Sequence, residues 1–243
     1  MHYLFDIDGT IRNFESEPDI APNLYQVLTK IKGDHILSVV TGRTYKNYNI
    51  FLSEVVSASN CQTNVHKLFE NVYCEDGHLL YKKGVPTSLV SFSAQKQIDL
   101  MKKYVESLNL TYPSPELRGE VVIVIQEKEN EGSIKPMLDS FVSENKLTEL
   151  TVKQLTHNRL SISVKGTDKR AAVEFSGIEL SQTVYFCDEQ NDLELVKAIL
   201  KKGGRIVCPS NATEEIKALA SYVSAKPHSY GVIDYLSRVA KNS

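Results

Sequence analysis

The stretch HYLFDIDGTI, residues 2–11, decides how this chain is read. Tyr3, Leu4, Phe5 and Ile7 form an apolar run of the kind that makes a buried strand. Asp6 and Asp8 stand at its end, directly before Gly9. Taking a carboxylate out of water is costly unless a partner compensates it, so burial alone does not place two of them there. Asp-Gly also marks ordinary turns, and the meaning of this stretch depends on what else the chain brings to the same place.

Outward from it, strand-like runs alternate with helical patterns. A helix is expected over 21–31, with Leu24, Val27, Leu28 and Ile31 on one face; then a strand at 35–43, a helix at 44–56 and a strand at 71–77. Such alternation argues for right-handed crossovers and a parallel sheet. The middle differs: a hairpin arm near 78–86, helices at 94–110 and 134–147, a turn-rich connection at 111–120, a strand at 121–127, and two strands joined near His157-Asn158. The last third resumes alternation, with helices at 168–177, 191–203, 213–223 and 231–241 and strands at 183–188 and 205–210. The expected fold is α/β: a Rossmann-like parallel-sheet core made of residues 1–80 and 163–243, with a smaller α+β unit, 81–162, inserted as a cap.

Bulk composition narrows the function classes. In 243 residues, 28 Lys and Arg face 30 Asp and Glu, so no global field invites nucleic acid. No apolar run approaches the roughly 18 residues of a membrane span, and no signal-peptide pattern opens the chain. The four cysteines are scattered and none forms a CxxC pair, as expected of free thiols in a cytoplasmic protein.

In an open parallel sheet, ligands bind beyond the carboxyl ends of the strands. Those ends carry Asp6 to Thr10, Thr41-Gly42-Arg43 and Asp188 to Asp192, while Lys165-Gly166-Thr167 precedes a helix. Carboxylates gathered in one place repel and raise one another's pKa. Short oxygen-bearing side chains suit a hard cation such as Mg²⁺, which shares phosphate oxygens with its substrate. A carboxylate beside such an ion can attack phosphorus, and a lysine and a hydroxyl can hold the phosphoryl oxygens.

Together, DIDGT, a strand ending in Thr41, Lys165 before a helix, and Asp188-x-x-Asn191-Asp192 resemble the four motifs of the haloacid dehalogenase superfamily. The resemblance covers nearly the whole chain. The insertion looks like the C2 cap of its sugar phosphatases, those for sucrose-phosphate, trehalose-phosphate and mannosyl-phosphoglycerate and the Cof type. It implies Asp6 as nucleophile, Asp8 as general acid and base, and Thr41 and Lys165 as holders of the phosphoryl group. It implies Mg²⁺ on Asp6, Asp188 and the backbone carbonyl of Asp8. Gly9, Thr10, Gly42, Asn191 and Asp192 are expected around the phosphate and metal. The fourth motif usually has Gly before its first Asp; Cys187 stands there.

The implied activity is hydrolysis of a small phosphorylated metabolite, a sugar phosphate above all, through an aspartyl phosphate. Arg43, Arg118 and Asn158 are the candidates for substrate contact, and Glu75-Asp76-Gly77 is placed near the hinge. A phosphomannomutase-like mutase is the enzymatic alternative, which the few cap arginines disfavour. A binding protein on an inactive scaffold is the other, and it would have lost a charged motif residue.

Overall fold

The structure, a computed structural model, describes residues 1–13, 19–60, 65–108, 119–127, 133–155 and 158–242, without the side chains of 240–242. In chain order the elements are β1 (His2–Phe5), α1 (Leu24–Lys32), β2 (Ile36–Val40), α2 (Tyr45–Ser59), β3 (Asn71–Cys74), β4 (Leu79–Lys82) and β5 (Val85–Ser88). Then come α3 (Phe92–Ser107), β6 (Ile123–Gln126), α4 (Lys135–Glu144), β7 (Leu150–Leu155), β8 (Arg159–Val164) and α5 (Lys169–Phe175). The chain continues with β9 (Thr183–Phe186), α6 (Leu193–Lys201), β10 (Arg205–Cys208), α7 (Glu214–Leu219), β11 (Tyr222–Val223) and α8 (His228–Asn242).

One sheet runs β11-β10-β9-β1-β2-β3-β4-β5, parallel from β11 to β3 and antiparallel at β4 and β5. β1 lies at its centre, between β9 and β2, where the winding of the chain reverses. Side chains alternate across the sheet. Tyr3, Phe5, Val39 and Phe186 join the core under α1, α2 and α8; Leu4, Val40, Tyr185 and Cys187 join a second core under α5, α6 and α7. Both faces are covered, which is why these strands are apolar without interruption. α1 buries Leu24, Leu28 and Ile31, the stripe its periodicity predicts.

A second, antiparallel sheet runs β6-β8-β7 and packs with α3, which buries Ala94, Ile98, Met101 and Val105, and with α4. Two expectations change. The division at residue 80 falls inside β4, because the β4–β5 hairpin pairs onto β3 and extends the large sheet to Ser88. The helix expected over 213–223 stops at Leu219; Tyr222 and Val223 instead pair with Val207 and Cys208. A two-residue edge strand is too short to leave a period in the sequence. Among the described residues no helix is long and apolar enough to cross a membrane.

Candidate active site

The backbone ladder of β1 runs one residue past the strand, Asp6 N–H donating to Phe186 O at 2.9 Å, and Thr41 N–H likewise reaches Tyr73 O at 2.9 Å beyond β2. Asp6 and Thr41 are therefore fixed by the sheet itself, and both are buried. Asp6 keeps step with Leu4, toward the α5 and α6 face. There the Lys169 ammonium meets Asp6 Oδ1 at 2.8 Å and Asp192 Oδ1 at 2.7 Å. Asp192 Oδ1 also accepts the Tyr185 hydroxyl at 2.5 Å.

Burial drives the Asp6 pKa well up, with Asp192 and Asp188 adding to it and Lys169 opposing. Burial works against the charge of Lys169, but Asp192 and Asp6, with Asp76, outweigh it and leave its pKa well above the ordinary value. Lys169 opposes the effect of burial on Asp6, and the two carboxylates in turn offset the cost of burying the ammonium. Cys187, in the position usually given to Gly, is a buried neutral thiol whose pKa burial and then Asp192 push well up.

Asp188, at the end of β9, accepts the Thr10 hydroxyl at 2.8 Å. Burial lifts its pKa to about 7, against the Thr10 hydrogen bond and with the help of Asp192. Gly9 lies on top of it with φ +81°, and a Cβ there would sit 1.9 Å from Asp188 Oδ2. Asn211 Nδ2 grips the Gly9 carbonyl at 2.7 Å, and His228 Nδ1 lies 3.0 Å from it, so the turn is braced from the C-terminal half.

One oxygen from each of Asp6, Asp188 and Asp192 lies within 4.8 Å of the others. Asp192 Oδ2 is buried without a hydrogen-bond partner. Acceptor-only oxygens, an orphaned one among them, and a turn that only glycine fits make a cradle suited to a hard divalent cation. Asp192, expected only around the metal, is thus part of the cradle.

The Asp8 carboxylate turns the other way. Arg43 takes both its oxygens, Nε to Oδ2 and Nη2 to Oδ1, each at 2.7 Å. Arg12 stands behind at 3.7 Å, itself forked onto Glu54 at 2.7 and 3.1 Å. The Thr41 hydroxyl accepts Arg43 N–H at 3.2 Å. Gly42 faces Asp76, whose Oδ1 would lie 3.1 Å from a Cβ on that glycine.

The lysine expected to hold the phosphoryl group is Lys165; the structure places it elsewhere. Lys165 is exposed and its ammonium donates to Thr148 O at 2.8 Å, because its backbone N–H, bonded to Glu149 O at 2.8 Å, continues the β7–β8 ladder. The ammonium that reaches Asp6 is that of Lys169. The Asp168 side chain caps α5 by accepting from Ala171 N–H, so Lys169 opens the helix on the face that buries Ala172 and Val173. That spacing, three and four residues before two apolar positions, is the signal that distinguishes the two lysines in the sequence.

Asn191 is exposed on the short turn Gln190–Asp192. Asn158 is exposed at the β7–β8 turn, its carbonyl bonded to Glu127 N and Gln126 Nε2. Arg118 and His157 lie outside the described residues. Sequence reasoning passed over Tyr185 and Asn211 and placed Asp76 only near a hinge; only the fold brings them, and Arg12, to the site.

An acidic cradle with a buried lysine-paired aspartate, at the reversal point of a doubly covered parallel sheet, defines an α/β protein with its reactive groups on strand tips. The chain belongs to the haloacid dehalogenase-like hydrolase family, whose model matches residues 52–236. It is similar to a phosphoglycolate phosphatase of Methanothermobacter thermautotrophicus, 32% identical over 74 residues; the match spans 30% of this chain and 32% of that protein. Its fold is shared with a haloacid dehalogenase-like hydrolase from Bacteroides thetaiotaomicron, at 15% identity and TM-score 0.71 over 98% of both chains. It is shared too with a sucrose-phosphatase from Synechocystis solved with sucrose and phosphate, at 14% identity and TM-score 0.63, over 99% of this chain and 98% of that one.

Proposed function

We propose that the protein is a Mg²⁺-dependent phosphomonoesterase acting on a small phosphorylated metabolite, with Asp6 as nucleophile. The observation that carries this reading is the Asp6–Lys169–Asp192 ion pair, at 2.8 and 2.7 Å, set within the cradle of Asp6, Asp188 and Asp192. Lys169 opposes the effect of burial on Asp6 and stands where it can hold an equatorial phosphoryl oxygen, with the Thr41 hydroxyl as a second donor. Asp6 attacks phosphorus and the ester oxygen leaves, taking a proton from Asp8, which for this step is released from the fork of Arg43 and protonated; the product on the enzyme is an aspartyl phosphate. Asp8, now a base, takes a proton from water as that water attacks the acyl phosphate, releasing phosphate and restoring Asp6. Mg²⁺ on Asp6, Asp188 and Asp192 would supply charge neutralisation for the transferring group.

The three-stranded unit, 123–164 with α3 and α4, acts in this reading as the cap over the site. A sugar phosphate is favoured by the fold shared with a sucrose-phosphatase. The stretch similar to phosphoglycolate phosphatase favours a smaller acid as second substrate class. The test is phosphate release from a panel holding both classes, with Mg²⁺ and with chelator, for wild type and Asp6→Asn. Borohydride trapping of turnover mixtures is expected to convert residue 6 to homoserine. Isomerisation without phosphate release, or equal rates for wild type and Asp6→Asn, overturns the proposal.

A further inference from the structure

Glu75 is buried and belongs to no catalytic step above, yet its carboxylate is held as an anion is held. Oε1 accepts Glu120 N–H at 2.8 Å, and Oε2 accepts Val121 N–H at 2.8 Å and Val122 N–H at 2.9 Å. Successive backbone amides converging on one carboxylate form a nest, and bonds to a charged acceptor are the strong kind. Gly119 closes it: its N–H bonds Val122 O at 2.9 Å, and a Cβ there would lie 2.2 Å from Oε2. These amides belong to the bend that leads directly into β6 of the three-stranded unit.

The turn that carries Glu75 is tied to the phosphoryl side of the site. Glu75, Asp76 and Gly77 all have positive φ, 53°, 54° and 91°. Side chains with a Cβ rarely adopt that conformation, and two in a row persist only where surroundings impose them. Glu75 N–H donates to Arg43 O at 2.9 Å and Asp76 N–H to Thr41 O at 3.0 Å, which fixes the turn to the loop after β2. The Asp76 carboxylate packs on Gly42 and acts on the charge of Lys169.

The same turn also holds the chain where it leaves the large sheet and where it turns back toward it. His78 Nδ1 lies 2.5 Å from Glu75 O, and its Nε2 accepts Val164 N–H at 3.3 Å, where β8 ends. His78 O accepts Leu89 N–H at 2.9 Å, just before α3.

We propose that Glu75 is a positioning residue: its carboxylate clasps the 120–122 segment that leads into β6, so that the place of the three-stranded unit is registered at Thr41, Asp76 and Lys169. The kinetic arm of this inference rests on the phosphatase reading; the structural arm does not.

The test uses Glu75→Gln, which keeps the shape and removes the charge, and Gly119→Ala, which crowds the clasp while leaving residue 75 a glutamate. Amide exchange followed by mass spectrometry reports the clasp directly. Both variants are expected to speed exchange at 120–122 about tenfold, the scale of one lost charged hydrogen bond, with peptides from β1 and β9 unchanged. On the accepted sugar phosphate, KM is expected to rise about tenfold, while kcat on acetyl phosphate, which has no leaving group for a cap to grip, stays within about twofold. Unchanged exchange at 120–122 in both variants overturns the inference. So does an equal loss on both substrates, which a merely structural role would give. If wild type releases phosphate from no ester, the function proposal fails and the exchange result still decides the clasp.

Discussion

Replacing Lys169 with Met, beside a Lys165→Met control, separates two lysines four residues apart that look alike in the chain. Lys169 lies 2.8 Å from Asp6 Oδ1 and 2.7 Å from Asp192 Oδ1, and its side chain is 3% exposed. Removing one partner of a buried ion pair costs about 3–5 kcal/mol, because the other charge is left uncompensated. For a chain of this size each kcal/mol moves Tm by about 2–4 °C, so a fall of roughly 6–20 °C is expected. Loss of one donor to the transferring group costs about 10²–10³ in kcat. Asp6 also loses the cation that opposes its burial, which drives its pKa further up and weakens it as a nucleophile. The combined fall in kcat is therefore expected to be at least about 10³. Lys165, exposed on Thr148 O, is expected to change kcat by less than about twofold and Tm by less than about 2 °C, as surface changes do. Steady-state phosphate release and thermal melts of both variants, with and without Mg²⁺, check this. A Lys165→Met enzyme as damaged as Lys169→Met, or a Lys169→Met enzyme within tenfold of wild type, refutes the reasoning.

Further outcomes follow from the same geometry. Asp188 is held protonated to about pH 7 in the fold, against 3.8 for the ordinary group, so the folded state binds the extra proton between those values. Its contribution to stability is present at the acid end and lost as pH rises through 7, by roughly 4 kcal/mol at most for a shift near three units. Metal-free wild type is accordingly expected to melt below metal-free Asp188→Asn at pH 8 and level with it at pH 4.5; the opposite order at pH 8 sinks this account. Gly9→Ala is expected to lose Mg²⁺ affinity and stability together, since its Cβ would displace Asp188 from 1.9 Å at a φ of +81°; calorimetric Mg²⁺ titration equal to wild type contradicts it. Asp8→Asn is expected to slow sugar phosphates at least about tenfold more than p-nitrophenyl phosphate, whose leaving group needs no proton. Compared in kcat/KM, which ends at phosphorylation of Asp6 and leaves out the later step in which Asp8 is the base, equal slowing of both substrates excludes Asp8 as the acid.

What the sequence determined by itself was the frame. Apolar strands covered on both faces, alternating with helices of 3.6 period, imply a parallel sheet, and a parallel sheet gathers strand tips along one edge. Asp6, Thr41, Asp188 and Asp192 were legible because each is a polar residue at or just beyond such a tip, where burial gives no reason for it. The tertiary structure decided which partners those residues have. Lys169 reaches Asp6 across 163 positions of chain, a pairing no local period records. A lysine before a helix was legible, but which lysine turns inward depends on the Asp168 cap and on the sheet behind Ala172 and Val173. Asp8 is set apart from Asp6 by the fork of Arg43, a contact that exists only because the β2 tip stands beside the β1 tip. Glu75 looked like part of a turn, and it became a clasp only when the 119–122 backbone was folded onto it. Local periodicity encodes which face of an element is buried; the identity of the group waiting on the other side is a long-range fact, set when the sheets close.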